Sequence, residues 1–309
     1  MSLLIEYTLI FAVVLFLVAL GGCFSEHSGV MNLGLEGIMV IGAMWGALAM
    51  EITRNLPAWL MAICVMLAAV IGGMLYSLLL AIPAIRYNAD QTLIGTALNI
   101  LATAQATVVV KAFNYDFNGN SEPRLHYIEQ RKALFFSIGE FEGSIFMLIA
   151  LVLLVIALIV MNKTAFGLRL QACGENPDSA ASAGIHVRKM RYAGVLISGA
   201  LAGLGGIAYI TSSVSEWSFD KGVSGFGFLA MAVMIFGRWK PGNIALAALM
   251  FGFFRALSNV YMGIEWLEAL NIPSSVYNAL PYIISLLILA FAAGRSSAPK
   301  ALGLPYHEN

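Results

Sequence analysis

Apolar residues run along this chain in blocks of about 20, separated by short polar or glycine-rich breaks. That block length is what an α-helix needs to cross the hydrocarbon core of a bilayer. The blocks fall near 3–22, 29–50, 57–83, 92–110, 144–162, 192–212, 223–237, 244–262 and 277–294. The pattern predicts an all-α polytopic membrane protein of about nine transmembrane spans, within a range of eight to ten. The block at 223–237 is too short for a full crossing. Residues 1–309 form one transmembrane domain on this reading, with long polar loops at 111–143 and 163–191.

Several blocks depart from a uniform apolar run. The fourth carries Thr92, Thr96, Asn99, Thr103 and Thr107 at steps of four, three, four and four, which places all five on one helical face. Such an uncharged polar stripe either bonds neighbouring helices together or lines a wet path for a neutral, hydroxyl-rich solute. "GVMNLG" (29–34) opens the second block and "GVSGFG" (222–227) the seventh. Glycine-interrupted segments at corresponding positions of opposite orientation are the trace of an inverted repeat, and broken helices of this kind line substrate paths. Glu36 and Arg255 are ionisable residues inside spans, where a charge is a functional hypothesis by default. Glu36 has a structural alternative, bonding backbone donors of the interrupted helix beside the path. Asn32, one turn earlier, acts in the same way or touches solute. Arg255 either snorkels toward headgroups or pairs with Glu36. "SGALAGLGG" (198–206) and "GAMWG" (42–46) place small residues four apart, which permits close helix contact.

Charge sets the orientation. Lys163, Arg169, Arg188, Lys189 and Arg191 assign loop 163–191 to the cytoplasm, and with nine crossings Arg86, Arg238, Lys240, Arg295 and Lys300 follow. Glu51, Asp116, Glu122, Glu129, Glu140, Glu142, Glu216, Asp220, Glu265 and Glu268 collect on the other face. Loop 111–143, with Lys111, Arg124, Arg131 and Lys132, is assigned outside, its length weakening its vote. The N-terminus is then external and the C-terminus cytoplasmic. "GRWKPG" (237–242) reads as a tight basic turn with Trp239 as interface anchor.

Only 11% of the 309 residues are charged and 60% are hydrophobic, which excludes an ordinary soluble domain. Zero net charge points away from a nucleic-acid partner. Cys23, Cys64 and Cys173 lie too far apart for metal spacing and read as small apolar residues. No phosphate-binding loop, G-x-S-x-G or H-E-x-x-H occurs, and His27, His126, His186 and His307 are scattered. An enzyme is therefore not expected. No acidic cluster sits deep in several spans, which counts against an ion-driven carrier.

One stretch asks for a partner. In "GENPDSAASAGI" (174–185), Asn176 can cap a helix that starts at Pro177, and Gly184 can end it in the left-handed conformation. A helix of seven residues draws its stability from docking.

"GGCFSEHSGVMNLGLEGIMVIGA" (21–43), "AFGLRLQACGENPDSAASAGI" (165–185), "ISGALAGLGG" (197–206) and "GFGFLAMAVMIFGRWKPGNIALAALMFG" (225–252) together resemble permease subunits of ABC importers. The branch concerned serves branched-chain amino acids, ribose-type sugars and nucleosides. "SGVMNLGLEG" is most similar to permeases paired with nucleoside-binding lipoproteins. The resemblance implies a type II importer-like permease in a bacterial cell membrane, moving a neutral polar solute, nucleosides first. It also implies a second permease chain (homo- or heterodimer), an extracellular or periplasmic solute-binding protein and ABC ATPase subunits. ATP and Mg would then sit on the ATPase and no cofactor on this chain. Residues Gly174, Glu175, Asn176, Pro177, Ala180, Ala181, Ala183 and Gly184 would form the coupling element seated in a groove of the ATPase. Asn32, Glu36, Thr96, Asn99, Thr103 and Arg255 are the candidates for the path. Cys173 departs from the family's small apolar residue, with no consequence expected. The alternatives are a permease for a sugar such as ribose or galactose, and a secondary transporter or channel working alone.

Overall fold

Near-continuous apolar sequence from the N-terminus builds α1 (Ser2–His27), which ends where Ser28 and Gly29 turn the chain. The computed structural model describes residues 2–125, 132, 134–138, 141–213, 218–260, 276, 279–280, 282–284, 286 and 298–306. Among these, seven helices are long and apolar enough to cross a membrane. They are α1, α2 (Leu35–Ile52), α3 (Ala58–Arg86), α4 (Gln91–Asn118), α5 (Ile145–Lys163), α8 (Val187–Ala208) and α10 (Pro241–Val260). Two short helices, α6 (Ala165–Glu175) and α7 (Pro177–Ser182), precede α8, and α9 (Phe226–Phe236) is the short apolar helix expected near 223–237. The all-α polytopic expectation holds. The expected span 277–294 lies largely outside the described residues, as do His126, Glu129, Arg131, Glu140, Glu216, Glu265, Glu268, Arg295 and His307.

Burial separates core helices from peripheral ones. In α8 78% of the spanning window is buried and in α2 72%, against 22% in α5, so this chain leaves most of the α5 surface uncovered. Between apolar helices in lipid, association depends on close packing rather than on water exclusion. Glycine permits it here: a Cβ at Gly42 would collide with the Gly203 backbone, and one at Gly73 with the carbonyl of Gly199. The small-residue stretches at 42–46 and 198–206 thus meet as expected, laying α8 against α2 and α3.

The termini of several helices gather at one end of the bundle. There His27 at the end of α1 bonds the Trp239 carbonyl at 2.9 Å, and Met31 N–H donates to Gln91 Oε1 at 2.7 Å. Residues 298–306 lie across the same end: Ala301 N–H donates to Gly174 O at 2.8 Å and Gly303 N–H to Gly29 O at 3.1 Å. Arg191 donates to Leu304 O at 3.1 Å, its guanidinium 5.8 Å from the Tyr306 ring centre. Arg86, Lys163, Arg188, Lys240 and Lys300 belong to this basic end, and Glu51, Asp116, Glu122 and Asp220 to the opposite one.

Two helices and both long loops differ most from the sequence expectation, each for a local reason. Helix α2 begins at Leu35, six residues after the expected start, because the positive φ of Gly29 and the side-chain bonding of Asn32 keep 28–34 out of the helix. Helix α4 continues to Asn118, started by Asp90 accepting from Thr92 and Leu93 N–H and stopped by Gly119 in the left-handed conformation. The rest of loop 111–143 holds an antiparallel hairpin, β1 (Phe135–Ile138) and β2 (Phe141–Ser144), with Phe135 opposite Ser144. Loop 163–191 is mostly helical, because Thr164 caps α6 and Asn176 caps α7.

Candidate functional site

Two helices stop short inside the bundle, and their N-termini meet. Helix α2 starts at Leu35 and runs away from the basic end, while α9 starts at Phe226 and runs toward it. Eleven residues make α9 about 16 Å long, roughly half of a ~30 Å hydrocarbon core. Its first turn therefore lies deep in the bundle, where free backbone donors have no water to bond. Glu36 meets that need. Its carboxyl oxygens accept from Gly225 N–H and from Gly227 N–H, both at 2.7 Å, which sets two acceptors at the positive end of a helix dipole. The contact is tight enough that a Cβ at Gly227 would strike the Glu36 backbone.

Asparagines hold the irregular strand that leads into α2. Asn99 on α4 accepts from Gly37 N–H at 2.8 Å and donates to Leu33 O at 2.8 Å. Asn32, only 1% exposed, donates to Ser198 Oγ on α8 at 2.9 Å and accepts from Gly34 N–H at 3.1 Å. Both bond backbone or helix partners within this chain. Thr96 is exposed, and among the described residues its hydroxyl bonds Thr92 O and Leu93 O of its own helix. Thr103 faces the second break: a Cβ at Gly222 would sit 3.6 Å from its Oγ1.

Arg255 sits beside the same junction without forming an ion pair with Glu36; among the described residues the one ion pair is Arg54 with Glu51. Its guanidinium lies 5.5 Å from the Phe226 ring centre and 5.8 Å from that of Phe11, and it bonds Ser258 at 3.4 Å. This is a charge held by aromatic faces rather than by a carboxylate. Three further residues meet at the junction. Ser224 has φ +54, and its carbonyl accepts from Tyr282 Oη at 3.1 Å. The Tyr209 ring centre lies 4.6 Å from that of Phe226, the planes tilted by 49°, at the start of a π-helical turn (Tyr209–Ser213) that widens the end of α8. The junction thus combines one carboxylate, one guanidinium, tyrosine hydroxyls and aromatic faces around two helix N-termini.

A second feature lies at the basic end. Asn176 Oδ1 accepts from Ser179 N–H at 3.0 Å and Pro177 takes the first helical position, so α7 forms as its cap residues predict. Gly184 has φ +80 and ends the turn. Ala180 is buried against Cys173, Val187 and Tyr306 of this chain, with Ala181 half-buried beside them. Glu175, Asn176, Ser179, Ser182, Ala183 and Gly184 are exposed, while Gly174 is buried against His27. The side of α7 left open to a partner is therefore that of Ser179, Ser182 and Ala183, not that of Ala180. Burial pushes the Cys173 thiol up to about 11, with Arg191 opposing weakly.

Comparison with known sequences bears on this geometry. The family described as "Branched-chain amino acid transport system / permease component" matches residues 4–293. The chain belongs to that permease family. Among relatives of the permease, the guanosine ABC transporter permease protein NupQ of Bacillus subtilis is 38% identical, covering 99% of this chain and 97% of the relative. The nucleoside ABC transporter permease protein NupC of Lactococcus lactis is 35% identical over the same shares. A second Bacillus subtilis chain, the guanosine ABC transporter permease protein NupP, is 26% identical over 91% of this permease and 78% of its own length.

Sequence reasoning missed Tyr209, Ser224, Phe226 and Tyr282, which sit in glycine-rich or plainly apolar sequence and become site residues only when α9 stops short. It also placed Trp239 at the membrane interface. The indole is buried instead, its Nε1–H donating to Glu26 Oε2 at 2.6 Å and its carbonyl accepting from Cys23 Sγ at 3.2 Å. The left-handed backbone of Arg238 and Trp239 folds that ring inward. Glu26, at the end of an apolar helix, carried no motif that would have announced this pairing.

Proposed function

We propose that this permease forms the membrane path of an ABC importer for nucleosides, driven by ATP hydrolysis on separate subunits. One observation carries the reading: near-full-length similarity to two permeases named for guanosine and nucleoside transport. The junction is chemically suited to such a solute. The exposed Tyr282 offers a ring and a hydroxyl for a base, beside the buried rings of Phe226 and Tyr209, and Glu36 and Arg255 offer hydrogen-bonding groups for a ribose. The partner permease would be a related but different chain, because two dissimilar guanosine permease chains occur in one Bacillus. An external binding protein would deliver solute to the acidic end. The basic end would face the cytoplasm and the ATPase, with the N-terminus outside and the C-terminus inside. The exposed side of α7, with Asn176, Ala183 and Gly184, would seat in the ATPase.

The test is uptake in cells that depend on this permease and its partners. Labelled guanosine uptake is expected to be competed by unlabelled nucleosides and not by ribose or galactose. Competition by the sugars alone would replace nucleosides with sugars as the solute.

A further inference from the structure

Segment 298–306 makes contacts on both sides of the basic end. On one side Ala301 N–H donates to Gly174 O at 2.8 Å near the end of α6, and the buried Tyr306 packs with Ala180 of α7, Cys173 and Val187. Among the described residues, Tyr306 is the one member of that cluster from outside 165–191. On the other side Gly303 N–H donates to Gly29 O at 3.1 Å, at the turn that opens the broken segment 28–34. From Gly303 to Tyr306 the chain can reach about 11 Å at most, so the two contacts are close neighbours. Two turns make the segment a compact body: Leu302 N–H bonds Pro299 O at 3.1 Å and Leu304 N–H bonds Ala301 O at 3.2 Å. Arg191, only 1% exposed, holds its middle. Nη1 donates to Leu304 O and the guanidinium faces the Tyr306 ring, while Nε and Nη2 lie beside Gly29 without an acceptor among the described residues. A buried cation held by one bond and one ring is sensitive to any shift of the segment that supplies both. A cavity of about 310 Å³, lined by Met31, Ala84, Asp90, Gln91, Gly303 and Pro305, flanks the segment toward the turn between α3 and α4 and gives it room to move.

We propose that segment 298–306 links α7 to the broken segment 28–34, with Tyr306 as the positioning residue that makes the turn at Gly29 follow the coupling element. The inference rests on the reading that α7 meets the ATPase. A displacement of α7 reaches the Tyr306 ring through Ala180 and passes along Leu304 and Gly303. Gly29 is bonded to Gly303 and leads through Asn32 to Leu35 and Glu36. Residues 28–34 lie outside any helix, so they can turn locally where a helix would have to shift as a whole. The carboxyl group of Glu36 then carries the change to the first turn of α9.

The test is hydrogen exchange, read by mass spectrometry, on the assembled transporter with an ATPase that binds ATP without hydrolysing it. Peptides covering α7, 298–306 and 28–34 are expected to change their exchange rates together when ATP is added, by about fivefold or more. A change in α7 with none in 298–306 or in 28–34 would overturn the link and leave the reading of α7 standing. No change in α7, beside normal coupling by Ala183→Arg, would remove that reading and the link with it. This measurement needs no variant of the segment itself. In a second arm, Tyr306→Ala is expected to lower the guanosine moved per ATP hydrolysed by about fivefold or more while the ATPase still co-purifies. Tyr306→Phe keeps the ring and is expected to match the parent. An unchanged ratio in an assembled Tyr306→Ala transporter, or an equal loss in Tyr306→Phe, would overturn the proposal.

Discussion

Glu36 shows how one side chain can serve two helices. It stands in the first turn of α2 and bonds the first turn of α9, so its removal strands two backbone donors where no water replaces it. Each stranded buried donor costs about 1–3 kcal/mol. Glu36→Ala is expected to lower the melting temperature of the purified permease markedly. Glu36→Gln keeps one strong acceptor and is expected to fall between it and the parent. Asn99 and Thr96 make a sharper pair, because they share a stripe in sequence and not in structure. Asn99→Leu breaks two bonds to the broken segment and is expected to destabilise the fold on the order of 2 kcal/mol. Thr96→Val removes only bonds to its own helix, so its melting temperature is expected to match the parent's within a degree or two. A loss of uptake by Thr96→Val at unchanged stability would place Thr96 on the solute path. The threonine spacing made one helical face legible. It could not divide that face, because the neighbours that separate Asn99 from Thr96 arrive from residues 33–37.

Short helices were legible where their caps were. Asn176, Pro177 and Gly184 gave the limits of α7 to within one residue, since each acts on adjacent backbone. Its buried face was not legible, because Tyr306 reaches Ala180 from the far end of the chain. The consequence can be measured. Ala180→Arg is expected to disturb this chain itself, lowering its yield and melting temperature. Ala183→Arg, on the exposed side, is expected to leave the permease stable while the ATPase co-purifies poorly or loses its response to loaded binding protein. Asn176→Ala is expected to act more mildly, costing about 1 kcal/mol of helix stability. Should Ala183→Arg couple normally, α7 is not the element that meets the ATPase. Helix ends governed by distant bonds, such as the late start of α2, escaped the periodicity for the same reason.

At the scale of the molecule, hydropathy alone marked nine apolar blocks, eight of which are apolar helices among the described residues, because in a bilayer each must satisfy its own backbone and be apolar along its length. The glycine breaks at 29–34 and 222–227 were visible as similar hexapeptides. That they bring two oppositely directed helix N-termini together at one carboxylate depends on tertiary contact. Orientation is open to chemistry: Cys23 and Cys173 are buried, so once the half-buried Cys64 is replaced by alanine, introduced cysteines can be read over a low background. Ser179→Cys is expected to react with an impermeant maleimide only from the cytoplasmic side, and Asn120→Cys only from outside. Reaction of Ser179→Cys from outside and Asn120→Cys from the cytoplasm would reverse the assignment of the basic end.

The central claim is that this chain carries nucleosides only as part of an ATP-driven assembly. The most direct measurement reconstitutes it with its partner permease and ATPase in liposomes, adds the binding protein outside, and follows labelled guanosine. Accumulation is expected only with ATP and Mg on the ATPase side and binding protein on the other, and it is expected to stop when the ATPase is inactivated. Guanosine accumulation without ATP, driven by an ion gradient or by this chain alone, would contradict the account.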